Sequence, residues 1–157
     1  MRMATTSLKK GILFLLVVLG SIWSAFGQQS YDSELADSLG ADAYGMRMYQ
    51  LVILKTGTEV IEDKELVQKL FRGHLDNIGR LAEEGKLVVA GPLGKNELEY
   101  RGIFIFKLDN KEEIQELLKT DPAIEAGIFD VEILDWYGSA ALPMYLPYHK
   151  QIEKEQP

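Results

Sequence analysis

From Asp63 to Glu84 the chain sorts its side chains with a helical period, and the segments on either side abandon that period for short apolar runs. Stepped at about 100° per residue from Leu66, the residues Leu66, Val67, Leu70, Phe71, Leu75, Ile78, Leu81 and Ala82 share one half of the wheel. Glu65, Gln68, Lys69, Arg72, Asp76, Arg80 and Glu83 occupy the other. Asp63 is placed to cap the start, and Gly85 to end the helix as the residue that accepts a left-handed backbone. A helix of about six turns with one dry face has to lie on an apolar layer.

The neighbouring runs supply that layer. Met48 to Leu54, rich in β-branched and aromatic residues and followed by Lys55-Thr56-Gly57-Thr58, reads as a central strand. Leu87 to Ala90 reads as a second strand entering the turn Gly91-Pro92-Leu93-Gly94, and Tyr100 to Leu108 as a third that pairs antiparallel with it. Asn110 with Glu113 three residues on has the spacing of a capping box, and Ile114, Leu117 and Leu118 give a second helix ending near Lys119. Ile128 to Tyr137 is the fourth strand. The order β-α-β-β-α-β is the split βαβ, ferredoxin-like plan, an α+β fold with an antiparallel sheet and helices on one face only. The other face, expected to carry residues such as Leu51 or Phe104, needs cover, and a second copy of the sheet is the usual solution. A homodimer is therefore expected.

Ahead of this domain, Arg2, Lys9 and Lys10 precede the apolar run Ile12 to Leu19, and Ser24-Ala25-Phe26-Gly27 precede Gln28. That is the layout of a secretory signal peptide, with small residues at Ala25 and Gly27 and cleavage after Gly27. Gly11 to Phe26 is about 24 Å long as a helix, short of a hydrocarbon core of about 30 Å, which argues against an uncleaved anchor. The expectation is an exported protein, periplasmic or secreted, in which residues 28–45 form a flexible tether, 46–137 the folded domain and 138–157 an irregular C-terminal arm.

Composition narrows the chemistry. The 157 residues include no cysteine, which excludes disulfides, thiolate metal sites and a cysteine nucleophile. With 24 acidic and 17 basic residues the net charge is −7, the wrong sign for holding a phosphate backbone, so nucleic acid is not an expected partner. The two histidines, His74 and His149, lie far apart and outside any HxxxH or HExxH spacing, so no metal site is expected. Gly91-Pro92-Leu93-Gly94 is neither a dinucleotide fingerprint nor a phosphate loop, since proline removes an amide such a loop would offer, and no cofactor is expected. There is no Gly-x-Ser-x-Gly elbow around Gly138-Ser139.

His74 falls at about 80° on the same wheel, near the middle of the apolar half, where Lys64 in the first turn is the only other titratable side chain. A histidine placed there needs partners for its ring nitrogens, since an unsatisfied buried polar group costs about 1–3 kcal/mol. A backbone carbonyl would satisfy it as an ordinary core residue. A carboxylate would make it a functional pair, and Asp121, at the mouth between the second helix and the fourth strand, is the best-placed acid. Asp121 followed by Pro122 also has the form of a plain helix cap. His149, in the arm, is assigned no role.

The strand Met48 to Leu54, the helix containing His74-Leu75, Gly85-Lys86-Leu87-Val88-Val89-Ala90-Gly91-Pro92, Gly102-Ile103-Phe104, Asp121-Pro122 and the closing strand to Trp136 occur in order. In these residues the chain resembles the YCII-related domain over roughly 46–137. The resemblance implies a dimeric α+β barrel with a pocket between helix and sheet, lined by a His/Asp pair that maps onto His74 and Asp121. A few members of that family look like lyases of the dehydrochlorinase type, and muconolactone isomerases share the architecture. The function expected is proton transfer on a small carbonyl or aromatic-derived compound, of isomerase or lyase type. His74 would act as general acid/base, Asp121 would fix its tautomer, and Gly91 and Pro92 would shape the pocket floor and contact substrate. The alternatives are a non-catalytic exported module that binds a small molecule in the same pocket, and a structural homo-oligomer in which His74 is only core.

Overall fold

A computed structural model describes residues 31–155, so the stretch expected to be a signal peptide, residues 1–27, lies outside the described residues. The elements follow in order: α1 (Ser33–Leu39), β1 (Met46–Thr56), α2 (Lys64–Glu83), β2 (Leu87–Pro92), β3 (Tyr100–Phe106), α3 (Lys111–Leu118), α4 (Pro122–Glu125), β4 (Phe129–Ser139), a 3-10 turn (Leu142–Tyr145) and α5 (Leu146–Ile152). The four strands form one antiparallel sheet in the order β2-β3-β1-β4, the ferredoxin-like α+β arrangement.

Local chemistry sets the helix boundaries. Asp63 accepts hydrogen bonds from the backbone N–H groups of Glu65 and Leu66, and Asn110 from those of Glu112 and Glu113. Gly85, at φ +70°, turns the chain out of α2. Between β2 and β3, Asn96 Oδ1 accepts from the N–H groups of Leu98 and Tyr100, while its amide donates to the Gly94 and Tyr100 carbonyls, closing the hairpin with one side chain.

Register assigns the faces. Val52 sits opposite Phe104 on β3 and Ile133 on β4, and Leu54 opposite Gly102 and Val131. Val52, Leu54, Phe104 and Phe106 pack with Leu81, Leu87, Ile114 and Leu118 into the main core beneath α2 and α3. Phe104 therefore belongs to the helix-covered face and not, as expected from its run, to the open one; β3 is apolar at nearly every position, so alternation alone could not assign its parity. The open face carries Tyr49, Leu51, Ile53, Ile105 and Trp136, and Leu51 is placed there as expected.

Three other expectations need correction. Within residues 28–45, read as a flexible tether, α1 forms, Arg47 Nη1 donates to the Leu39 carbonyl at 3.2 Å, and Asp42 accepts from the N–H groups of Tyr44 and Met46 and from the Tyr137 hydroxyl. Gly91 and Pro92 are the last residues of a strand rather than a turn, since the ladder to β3 continues through Pro92 and Gly102. The arm from residue 138 is not irregular: β4 runs on to Ser139 opposite Met46, and the chain then forms the 3-10 turn and α5.

Candidate active site

His74 is placed by the middle of α2 and Asp121 by the tight link between α3 and α4, and their side chains meet with Nδ1 2.7 Å from Oδ2. Asp121 has no exposed surface and His74 retains 8%. The carboxylate does two things at once. Oδ2 bonds the imidazole, while Oδ1 accepts from the N–H groups of Ala123 at 3.0 Å and Ile124 at 3.4 Å, capping α4 with Pro122 in its first turn. Cap and partner, posed by the sequence as alternatives, are the two oxygens of one side chain.

Several contacts hold α4 against α2. Gly73, one residue before the histidine, leaves room for the Pro122 ring, and a Cβ there would lie 2.8 Å from Pro122 Cγ. One turn further along α2, buried Asn77 accepts from the Thr120 hydroxyl at 3.0 Å and from Arg80 Nη2 at 2.6 Å, and Arg80 also reaches the same hydroxyl. The residue before Asp121 is thereby fixed to the helix that carries His74. Asn77 and Thr120 escaped the sequence reading because an asparagine in a helix carries no sign that a threonine 43 positions away will satisfy it.

Aromatic rings set the imidazole plane. Phe104 is inclined at 29° to it with 5.8 Å between centroids, Phe129 is tilted at 5.2 Å, and Phe71 stands edge-on at 6.4 Å. A carboxylate is an acceptor only, so Asp121 draws the proton of neutral imidazole to Nδ1 and leaves Nε2 with its lone pair. Among the described residues nothing bonds Nε2, and the one buried side-chain polar atom lacking a partner is Gln50 Oε1, so Nε2 reaches the open space beside it.

That space is a cavity of about 1110 Å³ between α2 and the sheet, lined by His74, Phe71, Phe104, Phe129, Leu54 and Ile78 among others. Phe71 and its neighbours on the apolar half of α2 thus face a cavity as well as a core. Gly91 and Pro92 are on the wall, and Gly91 O approaches Gly102 so closely that a Cβ there would lie 2.9 Å away. His149, given no role by the sequence, lines the same cavity. A second hollow of about 490 Å³ lies toward the opposite end of β1 and includes Gln50 and Asp135 but neither histidine. No group of three or more His, Cys, Asp or Glu side chains converges as a metal site among the described residues.

Residues 48–137 match the family model of the YCII-related domain. The chain belongs to that family. Two solved structures are similar to it. One is 5-chloro-2-hydroxyhydroquinone dehydrochlorinase from Burkholderia phenoliruptrix AC1100 in complex with 2,5-dihydroxybenzoquinone, 20% identical, with a TM-score of 0.40, covering 55% of this chain and 92% of that one. The other is a dimeric protein of unknown function and ferredoxin-like fold from Bacteroides fragilis NCTC 9343, 17% identical, with a TM-score of 0.35, covering 59% and 95%. No curated protein sequence matches the chain at a significant level. In this YCII-related domain the matched segment contains both His74 and Asp121 and stops at Tyr137, before the arm that carries His149.

Proposed function

We propose that this YCII-related protein transfers a proton on a small carbonyl or aromatic-derived compound, as an isomerase or lyase, with His74 as the acid/base. The observation that carries the proposal is the 2.7 Å bond from His74 Nδ1 to a fully buried Asp121, beside a largely apolar cavity open to Nε2. Nε2 removes the proton from a carbon next to a carbonyl, and the C–H electron pair moves into the enolate. Asp121 stabilises the imidazolium that forms and does not itself take the proton. In isomerisation the imidazolium returns that proton to a different carbon. In elimination the electron pair forms a carbon–carbon double bond as the leaving group departs with its own bonding pair, and the imidazolium gives its proton to that group or to solvent.

The domain is further proposed to work as a homodimer joined through the open sheet face, and after export with cleavage at Gly27, on the strength of the basic start and short apolar run.

Deuterium uptake tests the chemistry without knowledge of the native substrate. A panel of β,γ-unsaturated cyclic ketones and lactones is incubated in D2O and followed by NMR. The protein should accelerate exchange at the acidic carbon of at least one member, His74→Gln should lose this by a factor of about 10²–10⁴, and Asp121→Asn by at least about tenfold. Binding of the panel without exchange would favour the non-catalytic binding module.

A further inference from the structure

We propose that α5 and the residues just after it form the outer wall of the His74 cavity and make it select uncharged or cationic compounds over carboxylates, a claim that rests on the cavity being the substrate site. After β4 the chain crosses the open face, where Leu142 packs against the cluster of Tyr49, Val88 and Ile105, and the Tyr145 hydroxyl donates to the Val88 carbonyl on edge strand β2. It then rounds that edge, and His149, Ile152, Glu153 and Glu155 line the cavity on the opposite face. The chain has two histidines, and both line this one cavity although they stand 75 residues apart in the sequence.

The charged groups around the opening are unequal. Glu59, Glu153 and Glu155 bring three carboxylates, and Arg101 brings one guanidinium, whose Nε already donates to Thr56 Oγ1 at 2.6 Å. An entering carboxylate meets an excess of like charge at the mouth of a concave, partly apolar space; Glu59 and Glu155 are exposed, so salt screens part of that repulsion. A neutral ring meets Ile152, Phe71 and Phe129 with no such cost. Two of the three carboxylates come from the segment after α5, beyond the matched residues 48–137, so this selectivity belongs to the arm rather than to the shared domain.

The test uses the full chain, with benzyl alcohol, benzylamine and benzoate as probes, read by the ring Cε1–H NMR signals of the two histidines, assigned with His149→Gln. Benzyl alcohol and benzylamine should move both signals, and benzoate should bind about fivefold more weakly than benzyl alcohol. In the double variant Glu153→Gln/Glu155→Gln that gap should fall below about twofold, through tighter benzoate binding. A gap that is absent in the native protein, or that persists in the double variant, overturns the inference. A His74 signal that moves while His149 stays still removes α5 from the site and leaves the cavity reading standing. Silence of both histidines toward every probe overturns the two together.

Discussion

Gly73 and Pro122 stand so close that a Cβ on the glycine would lie 2.8 Å from the proline Cγ, and this contact sets how nearly the helix of His74 approaches the turn of Asp121. Alanine at 73 would gain about 1 kcal/mol of helix propensity but press on a ring with little freedom to move, an overpacking cost of about 1–3 kcal/mol. Gly73→Ala should therefore be net destabilising. Gly79, in the same helix, has no atom within 4 Å of an added Cβ, so Gly79→Ala should be stabilising by about 1 kcal/mol. Urea midpoints of the two variants check the sign. Equal gains would mean that α4 yields freely and that Gly73 does not position the pair.

Asp121 uses both oxygens, and asparagine has one. Asp121→Asn must either keep the cap and turn its amide toward His74 Nδ1, or keep an acceptor for the imidazole and lose the cap. Asparagine is a good cap, so we expect the first outcome, with a stability loss under about 1 kcal/mol and the imidazole proton moved from Nδ1 to Nε2. The ¹⁵N shifts of the two ring nitrogens report this directly. Asp121→Ala loses the cap and leaves the imidazole without its partner, and should cost about 2–4 kcal/mol. An unchanged tautomer in Asp121→Asn would show that the carboxylate does not set it.

Much of this arrangement is legible in the sequence, and the parts that are not share a cause. The period of 63–84 placed His74 on the apolar side of α2, and Asp121-Pro122 announced a helix start, because both signals are local. What brought them together was not local: the gap at Gly73 and the Asn77–Thr120 bond join elements more than 40 residues apart. The face of Phe104 is not legible in the sequence for a similar reason, since Ile103, Phe104, Ile105 and Phe106 are all apolar and only pairing with β1 decides which of them meet the helices. The arm was hardest. Its strand extends because Gly138 and Ser139 pair with Arg47 and Met46, and His149 reaches the cavity only because Leu142 and Tyr145 find sites on the far face and the β2 edge.

At the opposite end of the sheet, Asp135 accepts from Gln50 Nε2 at 2.7 Å and from Lys111 Nζ at 3.0 Å. The Gln50 bond first, and then the Lys111 bond, hold its pKa below the ordinary 3.8. With the folded value below the unfolded one, the contribution is complete above about pH 4 and is lost as pH falls through the folded value. Asp135→Asn cannot titrate, so its urea midpoint should fall less than that of the native protein between pH 5 and pH 3. Parallel losses in the two proteins would assign the acid sensitivity to other carboxylates, Asp42 beside Tyr137 among them.

The open face carries a prediction about assembly. Leu51, Ile53 and Ile103 are half-buried, Leu134 is 38% exposed, and the patch is bounded at one end by Lys55 with Asp130 at 3.7 Å and Glu132 at 3.6 Å. The C-terminal segment covers only the end near Tyr49 and Trp136, where Leu142 packs. A row of aliphatic side chains across the centre of a sheet favours burial by about 25 cal/mol for each Å² of apolar surface removed from water, and a second copy related by a two-fold axis presents the same row. Sedimentation of residues 28–157 at micromolar concentration should give twice the mass of that chain. Leu134→Arg puts a charge into that row at a position exposed enough to spare the fold, and should yield a folded monomer with an unchanged far-UV circular dichroism spectrum. A native monomer would overturn the dimer, and a Leu134→Arg variant that stays dimeric would move the interface off this face.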